Sequence, residues 1–397
     1  MSTRPVYLDY AAATPTDPRV IEEMVKCLSI DGTFANPHAK DHVYGWQAAE
    51  VVEQNRERVA ALIGVSPLEI TFTSGATESN NLALLGLYQA LKARGDPRCH
   101  IVTDRIEHKS VLECCEALEK EGCRVTYLTP RKDGSIDTQL LAEALEPDTF
   151  LVSIAQANSV LGTVSDVHAL AALCKSKGIF FHTDTAQSAG YVQTDFEHSD
   201  VTMATLTSEK ICGPKGVGAL YVKRSAAVPL APLISGGGQE RGLRGGTVPT
   251  HQIAGMGKAF EIMQQEGRQD AERIAALRLK LEQGLRELPG IIFNGSAASR
   301  VPGILSVSFE GVDGHMLLPS LPGIAASTGS ACASDDLKPS YVLKAIGHSD
   351  SLARASLRLS LGRWTTQEEI ERALLEIQTV IPRLQQAGSM WNVKQGT

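Results

Sequence analysis

Between residues 69 and 184 the chain alternates short apolar runs with longer amphipathic ones. The runs 69–73, 99–104, 123–128, 150–155 and 179–184 have strand length and apolar composition. Between them, residues 74–91, 109–120, 138–145 and 167–177 carry helical spacing. Strict alternation of this kind predicts a mostly parallel sheet with helices on both faces. Two more strands, 201–206 and 217–222, follow around a Gly- and Pro-punctuated turn. Ahead of the alternation stand a short extended segment, a helix start at Asp17-Pro18, a loop over 33–37 and a helix over 43–62. From about residue 250 the pattern changes. A long helix over 254–288, broken near Gly267, leads to strands at 303–309 and 357–361, a Ser/Gly/Ala-rich loop at 325–334, and a closing helix over 367–384. The chain of 397 residues is too long for one small core. The expected fold class is therefore α/β, with a large domain over 16–260 and a smaller α+β domain made of 1–15 and 261–397.

Composition narrows the partners. Net charge is −7 with no long run of one sign, which argues against nucleic acid. No apolar run reaches transmembrane length, and the first residues carry no apolar signal region, so a cytoplasmic protein is expected. The eight cysteines form no C-x-x-C pair, so neither a zinc site nor a thioredoxin-like site is expected. Cys332 stands apart because its surroundings are Ser-, Gly- and Ala-rich.

Ends of strands in such sheets are where sites form, and five stretches fall there or in adjoining loops. Ser74-Gly75-Ala76-Thr77 joins a strand to a helix start, whose free backbone N–H groups suit a phosphate; an ordinary helix cap is the plain alternative. His108 follows a strand end and suits stacking on a flat ring, or else is a solvated loop residue. Asp184 closes a strand, and an aspartate buried there needs a partner such as a pyridinium nitrogen, unless it caps a helix. Lys210 sits between two strands and suits a Schiff base with a carbonyl cofactor, with Ser208 as a further phosphate contact; a surface hairpin lysine is the alternative. Residues 236–247 form a polar, Gly-rich loop able to close over a phosphate across a subunit boundary. Taken in this order, the five describe a pyridoxal 5'-phosphate site.

These stretches carry a resemblance. Tyr7-Leu8-Asp9-Tyr10, Phe72 to Ser79, Glu107-His108-Lys109, His182 to Ser188, Gly213-Pro214-Lys215-Gly216, the 236–247 loop, Ser330-Ala331-Cys332 and Arg358 to Arg363 match, in order and over nearly the whole chain, the class I cysteine desulfurases that feed iron–sulfur cluster assembly and tRNA thiolation. The resemblance implies a fold-type I pyridoxal phosphate enzyme and a homodimer with sites at the subunit interface. It implies that Lys210 tethers the cofactor and acts as base, that His108 stacks on the ring, that Asp184 pairs its nitrogen and that Gln187 bonds its hydroxyl. Ala76, Thr77 and Ser208 match phosphate-holding positions, and Thr247 matches one lent by the partner subunit. Arg358, with Asn36 nearby, matches the clamp on the carboxylate of the substrate, L-cysteine. Cys332 matches the cysteine that takes the sulfur as a persulfide, for delivery to a scaffold or other acceptor protein.

Three positions depart from the pattern. Glu209 stands where the family has a histidine touching the phosphate, and a carboxylate there repels it unless turned away. Ser159 replaces an asparagine that reaches the cofactor's hydroxyl side. The tail after residues 390–394 is shorter than in the housekeeping members, where it helps dock the scaffold.

Overall fold

The computed structural model describes residues 4–192, 194–328 and 338–395. A seven-stranded sheet forms its centre. From edge to edge it runs Ile70–Thr73, Gly218–Val222, Met203–Thr207, Phe180–Asp184, Thr149–Ser153, His100–Asp104 and Arg124–Leu128. Only Gly218–Val222 is antiparallel to its neighbours; the other pairings are parallel. His100–Asp104, Thr149–Ser153 and Met203–Thr207 are buried at every position, because helices cover both faces. This is the alternating α/β architecture that the strand and helix spacing predicts.

Local chemistry sets the helix starts. Asp17 accepts a hydrogen bond from the N–H of Arg19 at 2.9 Å, and Pro18 occupies the first turn of Pro18–Val25. Asp137 and Asp166 cap Thr138–Ala144 and Val167–Ser176 in the same way. Helical structure continues from Ala76 to Ala93 through one π turn, Leu82–Gly86.

The last third differs from expectation in three places. Thr250–Leu285 is one continuous helix with no break at Gly267. That glycine is buried, and a Cβ there would stand 2.9 Å from the Gly190 carbonyl, so it serves close packing rather than interruption. The closing helix Gln367–Gln395 runs through Pro382, beyond the expected end at 384. A second sheet, Ser356–Ser360, Ile304–Phe309 and Ile291–Asn294, is antiparallel and includes one strand that the apolar pattern did not announce.

Two large cores result. One joins Ile70, Phe72, Phe181 and Leu206 to Ile253 and Phe260 on the first half of the long helix. The other joins Val6 and Leu8 to Leu305, Leu357 and Leu359, and to Ile274, Leu281 and Leu285 on its second half. The segment after Tyr7 crosses from one core to the other. Asp9 bridges to Ser360, and the Ala11 N–H donates to Ser360 Oγ at 2.9 Å.

Candidate active site

A cleft of about 450 Å³ opens at the carboxyl ends of the parallel strands, within the usual range for small-molecule sites. Ala76, Thr77, His108, Ser159, Asp184, Gln187, Lys210 and Arg358 all line it. Residues spread over 283 positions of sequence (76 to 358) thus meet in one cavity.

The phosphate-cradle stretch lies at one end. Gly75 occupies the N-cap of the helix at φ 146°, and no side chain caps that end. The first N–H groups of a helix lack intrahelical acceptors, so those of Ala76 and Thr77 are available at the cleft wall. Glu78 accepts from the Ser74 N–H at 2.8 Å and from Arg244 Nε at 3.0 Å, tying the turn to the 236–247 loop. The strand Gly218–Val222 crosses so close that a Cβ on Gly218 would lie 2.7 Å from the Gly75 Cα.

Asp184 ends its strand with both oxygens engaged. Oδ1 accepts from the Ala186 N–H at 2.9 Å, and Oδ2 accepts from Asn80 Nδ2 at 2.8 Å. A carboxylate has about four acceptor positions, so acceptor capacity remains for a ring N–H in the cleft that Asp184 lines. Asn80 also donates to Ser110 Oγ at 2.8 Å, while its own Oδ1 is buried without a partner among the described residues. Behind Asp184, His182 lies between Ser153 Oγ (2.9 Å) and Thr205 Oγ1 (3.1 Å). Burial pulls its imidazole down to about 4, so it is neutral.

His108 is half-buried and lines the cleft, and its Nδ1 lies 2.8 Å from Ser110 Oγ. Beside it Glu107 is fully buried. Its Oε1 accepts from the Ala155 N–H, and Oε2 has no partner among the described residues. Burial first, and the neighbouring Asp104 second, push the Glu107 carboxyl well above the ordinary range; burial pushes Asp104 up to about 7.

Lys210 Nζ donates to the Ala12 carbonyl at 2.5 Å and lies 3.1 Å from Glu209 Oε1. Gln187 Nε2 donates to the Ala11 carbonyl at 2.9 Å. Arg358 donates from Nη2 to Asp9 Oδ1 at 2.8 Å and from Nη1 to the Ser159 carbonyl at 3.0 Å. Its Nε is buried with no partner among the described residues, and the residue itself lines the cleft.

Two expected residues, Ser208 and Asn36, stand outside the lining of the cleft. Ser208 is fully buried and does not line the cleft: a Cβ on Gly213 would meet its Oγ at 1.9 Å. Thr207, one residue earlier and last in its strand, lines the cleft instead, because successive strand side chains face opposite ways. Asn36 is exposed and absent from the lining, and its Oδ1 accepts from the His38 N–H at 2.9 Å. Thr247 is exposed on the 236–247 loop and does not reach this chain's own cleft. Cys332 lies outside the described residues. Asn80, Thr207, Asp9 and the Ala11 and Ala12 carbonyls are site residues that the motif reading missed. For Asp9 the signal was present in Tyr7-Leu8-Asp9-Tyr10; for Asn80 it was one helical turn beyond Ala76-Thr77, on a face that only the fold identifies.

A lysine at a strand end, facing a paired aspartate and an uncapped helix start in this sheet, defines a fold-type I pyridoxal phosphate-dependent enzyme. The chain belongs to the aminotransferase class-V family, whose sequence model matches residues 6–373. It is 47% identical over 393 residues to a protein of Proteus mirabilis named cysteine desulfurase IscS, covering 99% of this chain and 96% of that protein. A protein of the same name from Aeromonas hydrophila is 47% identical over 389 residues, covering 98% and 96%. Among solved structures, one titled NifS-like protein superposes with a TM-score of 0.87 at 36% identity, covering 96% of this chain and all of the other. Another, titled SspA in complex with cysteine, gives 0.80 at 40% identity, covering 91% and 99%.

Proposed function

We propose that this chain converts L-cysteine to L-alanine as a pyridoxal phosphate-dependent cysteine desulfurase, leaving the sulfur as a persulfide on Cys332 for iron–sulfur cluster assembly or tRNA thiolation. The observation that carries this is the meeting of Lys210, Asp184, His108, the Ala76–Thr77 turn and Arg358 in one cleft. The residues fit the cofactor. The uncapped turn suits its phosphate, Asp184 its ring nitrogen, His108 its ring face, Gln187 its hydroxyl and Lys210 its aldehyde carbon. When bound, the cofactor supplies an electron sink for bond cleavage in the substrate.

The chain's own groups do the rest. Arg358, which lines the same cleft as Lys210, holds the substrate carboxylate through its guanidinium and so orients the α-carbon toward Lys210. Lys210, freed from its tether, removes the α-proton. The Cys332 thiolate attacks the substrate sulfur and takes it as the carbon–sulfur bond breaks. Ser159 meets Arg358 through its backbone carbonyl, so the serine side chain does not bear on that contact.

The active form is read as a homodimer in the cytoplasm. Ile21, Val25, Leu28 and Ile30, near one another in sequence, expose 49%, 55%, 58% and 79% of their surface, apolar area that a partner subunit would cover. Thr247, facing away from its own cleft, suits a contact lent to a partner's phosphate. None of the described helices is long and apolar enough to cross a membrane. The division into residues 16–260 and 1–15 with 261–397 is supported by the two cores, which share the long helix Thr250–Leu285.

The test is anaerobic turnover of L-cysteine with alanine and sulfide both measured. Cys332→Ala is expected to keep bound cofactor and lose both products. Lys210→Ala is expected to stop turnover. Sulfide release by Cys332→Ala under reductant would assign the acceptor elsewhere. A purified chain holding no cofactor would favour a sulfur-relay or regulatory protein built on the same fold.

A further inference from the structure

Glu209 is the residue by which this chain departs most sharply from its family's pattern, and the structure shows where its charge goes. Its carboxylate lines the cleft and stands 3.1 Å from Lys210 Nζ, with side-chain exposures of 32% and 16%. The same amine also donates to the Ala12 carbonyl at 2.5 Å. The backbone that carries the pair is pinned: Thr14 donates to the Glu209 carbonyl from Oγ1 at 2.6 Å and from its N–H at 3.3 Å. One short segment, Ala12 to Thr14, therefore holds both the lysine head and the glutamate backbone.

We infer that Glu209 is a positioning residue for Lys210, forming with the Ala12 carbonyl a two-point dock that holds the amine whenever it carries no cofactor. This rests on the assignment of Lys210 as the tether. A histidine at 209 has no anionic oxygen to offer the amine. The substitution thus replaces a phosphate-side donor with a lysine-side acceptor. An incoming aldehyde has to draw Nζ out of the dock before it can add to the amine and release water. The family's phosphate contact and this chain's dock are alternatives at one position, and they differ in whether the phosphate matters.

The experiment follows imine formation on the full-length chain freed of cofactor. It uses pyridoxal and pyridoxal phosphate separately, with borohydride trapping and mass spectrometry of the labelled peptides. Glu209→Gln keeps the shape and removes the charge, whereas Glu209→Asp keeps the charge and withdraws it from contact. Both variants are expected to label Lys210 about two- to fivefold faster with either aldehyde, the range a partly exposed ion pair is worth. Lys215 in the same samples is expected to label unchanged. A gain confined to the phosphate-bearing aldehyde, or seen with Gln but not Asp, would show charge repulsion of phosphate and overturn the dock. Equal rates in all three proteins would overturn it as well. Label on a lysine other than Lys210 in the unsubstituted chain would overturn the tether assignment, and the dock with it.

Discussion

Arg358 Nη2 donates to Asp9 Oδ1 at 2.8 Å, across 349 positions of sequence, and so aims a buried guanidinium into the cleft from the edge of the second sheet. Asp9→Asn should cost about 1.5–3 kcal/mol of stability, the usual value of a hydrogen bond to a charged group. It should also raise KM for cysteine more than it lowers kcat, because the arginine loses its aim. Urea midpoints and steady-state kinetics test this; an unchanged KM would mean that the Ser159 carbonyl alone orients Arg358.

Asn80 supplies the side-chain donor to Asp184. Asn80→Ala is expected to weaken cofactor binding by about 1.5–3 kcal/mol, or roughly ten- to a hundredfold. Cofactor occupancy after dialysis reads it directly. Asn80→Asp should be worse, since it sets a second carboxylate against the first. Full retention in both variants would show that the Ala186 N–H suffices to hold Asp184.

Thr207 and Ser208 give a paired comparison. Thr207→Ala should loosen the cofactor, because the hydroxyl lost is one that lines the cleft. Ser208→Ala should leave retention unchanged, because that hydroxyl is buried beside Gly213 and has no partner among the described residues. The reverse result would place the phosphate on the other side of the strand end.

Stability should depend on pH through Asp104. Burial pushes its carboxyl up to about 7, against about 3.9 in an unfolded chain. Over that window the folded protein binds a proton that the unfolded chain has released. The contribution is therefore complete below about pH 4, falls as pH rises, and is lost above about pH 7. Asp104→Asn should remove this decline, so that the variant gains on the original chain between about pH 4 and pH 7. Denaturation midpoints that stay parallel for the two proteins over this range would rule it out.

Much of the framework was legible in the chain itself. Strand and helix alternation is written in local periods of two and 3.6, so the order of elements, the mostly parallel sheet and the placing of His108, Asp184 and Lys210 at strand ends all followed from short windows. What local periods cannot carry is which side chains meet across the sheet. One residue of register at a strand end separates Thr207 in the cleft from Ser208 behind it, and apolar patterning gives no sign of that step. Gly267 reads locally as a helix breaker, yet the nearby Gly190 carbonyl makes it a packing residue inside a continuous helix. Asn36 was expected beside Arg358 but closes its own loop instead. The partners of Asp184, Lys210 and Arg358 lie 104, 198 and 349 positions away. The residue types and their order came from sequence. The contacts of Lys210 and Arg358 form only when the crossing segment 9–14 is brought between the two cores, so the direction of the Glu209 charge and the aim of Arg358 were decided by the tertiary structure alone.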